Sequence, residues 1–95
     1  MAEDLIVSTD SLVEYLGVDD DKKTEVEELR ASAINEILNS AGISKPDEKN
    51  VGTYNDTVRT LVYMSYYAVR DSTKNTAFLA SRSIALIANL RAGKE

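Results

Sequence analysis

The sequence predicts an all-α fold, a small bundle of about four helices with one long central amphipathic helix. Three observations lead there. Apolar residues recur at three- and four-residue spacing over long stretches. No segment shows the sustained two-residue alternation of a half-buried strand. Glycines and polar capping residues bracket the periodic runs. The 95 residues fit one domain, residues 1–95, with no room for a second core. A domain of this size buries roughly two thirds of the surface its unfolded chain exposes, so interfaces matter to its stability.

The first helix is short. Ser8 offers a hydroxyl to the free amides of its first turn, Val7 and Leu12 are placed for a hydrophobic staple, and Gly17 supplies a left-handed stop after Leu12, Val13, Tyr15 and Leu16. Asp19, Asp20 and Asp21 follow, expected to cap the second helix and meet the positive end of its dipole. In that long helix Val26, Leu29, Ala33, Ile34, Ile37, Leu38 and Ala41 fall at helical spacing, and Gly42 ends it. The stretch "GISKPDEKNVGTYND" holds the only proline and two of the four glycines. It reads as an irregular connection, either a contact arm or slack, with Asn55 or Asp56 capping what comes next. The third helix runs from about Thr57 to Arg70, "DSTKNT" makes a polar turn, and the fourth helix runs from about Thr76 to Leu90, with Gly93 closing the chain. On the fourth, Leu79, Ser83, Leu86, Ile87 and Leu90 share a face, with Arg82 and Arg91 at its margins.

Composition narrows the chemistry. There is no cysteine, which removes disulfides and thiolate metal sites, and no histidine, the usual proton-transfer group near neutral pH. The serines have no nucleophile-elbow signature and no glycine loop cradles a phosphate, so no catalytic residue is assigned, no cofactor is expected and an enzyme is improbable. "DDDKKT" lacks the alternating ligands, mid-loop glycine and terminal acid of a calcium loop, and capping is the better explanation. No stretch has the apolar length of a membrane span, and the acidic start does not suit a secretory signal; the chain is expected to be soluble and intracellular when made.

The formal net charge of −5 is unevenly spread: residues 1–50 hold 13 acids and 5 bases, residues 51–95 hold 3 acids and 6 bases. The acidic balance argues against coating nucleic acid. The dipolar chain suits packing of one half against the opposite half of a neighbour, unless both halves are simply solvated helix faces.

The third helix carries "LVYMSYYAV", apolar on nearly every side. Advancing about 100° per residue from Val58, the positions Leu61, Val62, Ser65, Ala68 and Val69 make a core stripe with Tyr66 at its edge. Tyr63 and Tyr67 point away, near Arg59 and Arg70, and Met64 points to a third side. Either the second helix and the following connection wrap this helix, or Arg59, Tyr63, Met64, Tyr67 and Arg70 lie at a partner interface. Interface enrichment of Tyr and Arg favours the latter.

Four stretches in order, "IVSTDSLVEYLGVDDD", "VEELRASAINEILNSAG", "VRTLVYMSYYAVRDST" and "SIALIANLRAG", together resemble the small head-tail connector, or adaptor, proteins of tailed bacteriophages and prophages. The resemblance covers most of the chain and rests on helix and cap patterns. It implies an all-α, non-catalytic virion subunit, made in the bacterial host cytoplasm. It further implies a homo-oligomeric ring at the head-tail junction, contacting the portal protein and a tail or head-completion protein. DNA would pass through the channel without sequence-specific binding, and neither membrane nor small-molecule substrate is implied. The alternative is a small helical protein-protein interaction or regulatory module of a phage or prophage, binding a partner in a groove between helices.

Overall fold

The computed structural model describes residues 5–70 and 77–94, apart from the side chains of residues 68–70, 77–79 and 94. The predicted turn at 71–76 therefore lies outside the described residues. The fold is all-α, with helices α1 (Thr9–Leu16), α2 (Lys23–Ala41), α3 (Val51–Arg70) and α4 (Ala77–Lys94). The long amphipathic α2 and the aromatic α3 form the central pair, each packed against the other three helices.

Local rules explain three helix ends. The Ser8 hydroxyl accepts from the Ser11 amide at 3.1 Å, and Val7 and Leu12 are both buried at the staple position. Gly17 has φ 71° and Gly42 φ 74°, the left-handed conformation in which a side chain is strained, and each donates its amide back into the last turn of the helix it ends.

Other boundaries differ from the expectation. The aspartate run caps nothing through its side chains: Asp19 precedes a single 3-10 turn at Asp20–Lys22, and α2 starts without a side-chain cap. The acids keep only their electrostatic relation to the helix start. The Asp10 carboxylate instead reaches Lys23 Nζ at 2.8 Å, and it holds that ammonium above its ordinary pKa.

The largest correction is the start of α3, six residues before the expected Thr57. Asp47 and Asn50 cap each other's backbone: Asp47 Oδ1 accepts from the Lys49 and Asn50 amides at 2.9 and 3.0 Å, and Asn50 Oδ1 accepts from the Asp47 amide at 2.8 Å. The Tyr54 amide then donates to Asn50 O at 2.8 Å, so the helix is running before Gly52 and Thr53 can interrupt it. Asn55 and Asp56 are thus helical residues rather than caps. The remaining connection is held to the core by buried Ile43 and Pro46, which favours neither an arm nor slack. Gly93, expected to close the chain, lies inside α4.

The extra turns of α3 matter because they carry Tyr54. Its side chain is fully buried, and its hydroxyl has no hydrogen-bond partner among the described residues. Nearby buried Thr57 and Thr60 avoid that cost by donating to carbonyls one turn back, Thr53 O and Asp56 O, both at 2.7 Å. Burial pushes the Tyr54 phenol above its ordinary pKa, opposed in part by Arg30. A raised folded-state pKa means stability that is full below about pH 10 and falls as the pH climbs toward the higher folded value. Tyr54→Phe is expected to raise stability by about 1 kcal/mol and to reduce the alkaline loss, read by urea unfolding at pH 8 and above pH 10. A destabilised Phe variant at pH 8 would mean that the hydroxyl has a partner.

Candidate functional site

Two separate surfaces emerge from α3. On the first, α1 lies over the outward tyrosines. Tyr67 donates its hydroxyl to the Leu16 carbonyl oxygen at 2.7 Å, filling one of the acceptors that the end of a helix leaves open. The Tyr63 ring centre is 4.7 Å from that of Tyr67 and 6.0 Å from that of Tyr15, and Tyr66 meets Tyr67 edge-on at 5.0 Å. Tyr66 is buried, Tyr63 and Tyr67 are partly buried, and Tyr15 is 49% exposed.

Tyr63 and Tyr67 are partly covered from the α1 side, by the Tyr15 ring and the Leu16 carbonyl, and the open edge of the cluster is Tyr15. Arg59 lies one turn before Tyr63 and is engaged within its own helix by Asp56, Nη1 to Oδ1 at 3.1 Å. The Arg70 side chain lies outside the described residues.

Met64 belongs to the second surface, an open groove between α2 and α4. Its floor is Leu61, Met64 and Ser65, with Ala33 and Glu36 on the α2 wall and Ile84 and Ile87 on the α4 wall. Ser65, expected in the core stripe, is exposed because α2 and α4 do not close over the groove floor at that level. At one end Arg91 spans the walls, its Nε donating to Ser40 O at 3.0 Å with Nη2 donating to the same oxygen.

The α4 wall explains why the groove stays open. Ser83 and Leu90 are buried as the sequence pattern expects, Leu86 and Ile87 are half-buried, and Ile84 is left 69% exposed among Ala85 and Ala88. The apolar part of α4 is wider than the side it buries: Ser83 and Leu90 go inward while Ile84, Ala85 and Ala88 stay exposed. Tyr15 and Ile84 are the two residues that sequence reasoning missed. The available signal was angular: Ile84 lies about 100° from Ser83, off the shared stripe, and Tyr15 is similarly off the Leu12–Leu16 line.

A third feature ties down the chain before α1. Asn55 Nδ2 donates to Leu5 O at 2.8 Å and Asn55 Oδ1 accepts from the Val7 amide at 2.9 Å, while Arg30 Nε donates to Val7 O at 2.7 Å. These bonds set where α1 begins and hence where Tyr15 stands. Among the described residues, no three His, Cys, Asp or Glu side chains gather as a metal site and no helix is long and apolar enough to cross a membrane. What the site offers chemically is apolar surface with charged margins. No protein-family model matches the chain, and no curated protein or solved structure matches it significantly.

Proposed function

We propose that this chain is a structural subunit of a virion, a head-tail connector or adaptor that assembles as a ring beneath the portal protein and extends the DNA channel toward the tail. The observation that carries it is the pair of exposed apolar surfaces on different sides of α3, one at Tyr15 and one at Met64 and Ile84. A ring subunit needs two unlike faces, because a contact repeated by rotation is heterologous. The all-α bundle agrees with this role, and the helix and cap patterns along most of the sequence resemble those of connector proteins. Catalysis has no part in it, and the channel would pass DNA without reading its bases.

The open α2–α4 groove also favours a second reading, a small helical interaction module that holds a partner segment between its helices. Native mass across a concentration series, at low and high salt and with electron microscopy of the same samples, separates the two. The connector reading expects discrete closed rings, or binding to portal protein, weakened by salt where opposite charges meet. A chain that forms no ring, ignores portal and binds a non-capsid protein tightly would favour the module.

A further inference from the structure

We infer that residues 5–7 form a strap that lifts off the bundle as a unit while the four helices stay folded, with Asn55 and Arg30 as the latch that holds it down. The inference concerns the chain's own two states and is independent of the proposed assembly role.

The strap is held by side chains. Asn55 spans it, Nδ2 donating to Leu5 O and Oδ1 accepting from the Val7 amide, and Arg30 Nε donates to Val7 O at 2.7 Å. Among the described residues, no main-chain hydrogen bond joins residues 5–7 to α2 or α3. Val7 is the one buried side chain of the three, at 8% exposed, whereas Ile6 is half-buried and Leu5 is 36% exposed. One carboxamide and one guanidinium therefore hold the whole segment. Segments with few buried apolar contacts are the ones that open below the free energy of global unfolding.

The first helix keeps its own anchors when the strap lifts. Ser8 Oγ still accepts from the Ser11 amide, and Leu12, Val13 and Leu16 remain in the core. What is lost is the Val7 side of the hydrophobic staple. Opening also relieves a strain of the closed state. Arg30, which holds Val7 O, is near enough to the Tyr54 phenol to act on it by charge, and the Tyr54 hydroxyl is buried without a hydrogen-bond partner among the described residues. Water entering as the strap lifts supplies that partner. The chain thus has a closed state, with the Asn55 carboxamide occupied by residues 5–7, and an open state in which it is bare.

The test is native-state hydrogen exchange of the full chain, followed by NMR at rising urea below the unfolding transition. The Val7 amide is expected to exchange at least about tenfold faster than the amides of Val58 and Val62 inside α3, with little dependence on urea, because lifting three residues exposes little surface. Arg30→Ala removes the bond to Val7 O but leaves the acceptor of the Val7 amide in place. A rise of about tenfold in Val7 exchange in this variant reads the strap lifting as a unit. Asn55→Ala is expected to raise it at least as much, with a small change in melting temperature, since alanine is the better helix former inside α3. A Val7 amide that exchanges together with Val58 and Val62, with the same urea slope, overturns the separate opening, and the wild type alone decides this whether or not the variants fold. Folded Arg30→Ala with unchanged Val7 exchange overturns the latch.

Discussion

Leu12→Ala is expected to lower stability by about 3 kcal/mol, with a fall in melting temperature of roughly 12–20 °C. Leu12 is fully buried, and together with Val13 and Leu16 it is what α1 contributes to the core. An eight-residue helix does not hold its shape in water by propensity alone, so its tertiary contacts must supply the stability. Removing the central leucine leaves a cavity and loosens the element that covers Tyr63 and Tyr67. Chemical and thermal unfolding of the variant would measure the loss. A cost below about 1 kcal/mol would mean that α1 is not docked as described.

Tyr67→Ala carries the second large effect, about 3 kcal/mol, because the ring packs with Tyr63 and Tyr66 and the hydroxyl satisfies the Leu16 carbonyl. Tyr67→Phe separates the parts. It keeps the ring and is expected to cost about 1 kcal/mol, the usual net value of one such hydrogen bond. The pair also distinguishes structure from docking: Tyr67→Phe should leave assembly close to wild type, whereas Tyr15→Asp should impair it with little loss of stability. Equal loss of assembly by the folded Phe variant and by Tyr15→Asp would place Tyr67 itself in the interface.

Much of the helical framework was legible, and the reasons are local. Ser8, Gly17 and Gly42 act on backbone groups within a turn of themselves, so their identity and position suffice. The heptad-scale pattern of Val26, Ala33, Ile37 and Ala41 likewise marks the buried side of α2 without knowledge of its partner. The start of α3 was hidden because Gly52, Thr53, Asn55 and Asp56 favour turns on average. Their helical state depends on the reciprocal Asp47–Asn50 cap and on the core taking in Tyr54. Both are particular arrangements, and residue averages do not carry them.

The tyrosines show the same division. Angular counting separated Tyr63 and Tyr67 from the Val58–Val62 stripe, and the structure keeps that separation. It could not say that α1 would lie across them, nor that Met64 would line a groove between α2 and α4, since covering a helix face takes a second element whose position depends on long-range contacts such as Asn55 with Leu5 and Val7.

By itself, then, the sequence determined the all-α class, the existence of the four helices, two of their stops and the opposed charges of the two halves. These follow from period, propensity and composition, which act over one or two turns. Only the tertiary structure decided which apolar surfaces remain open, leaving Tyr15 and Ile84 at the surface and drawing Tyr67 under α1. Exposure belongs to neighbours, and most of the neighbours of these residues lie on other helices.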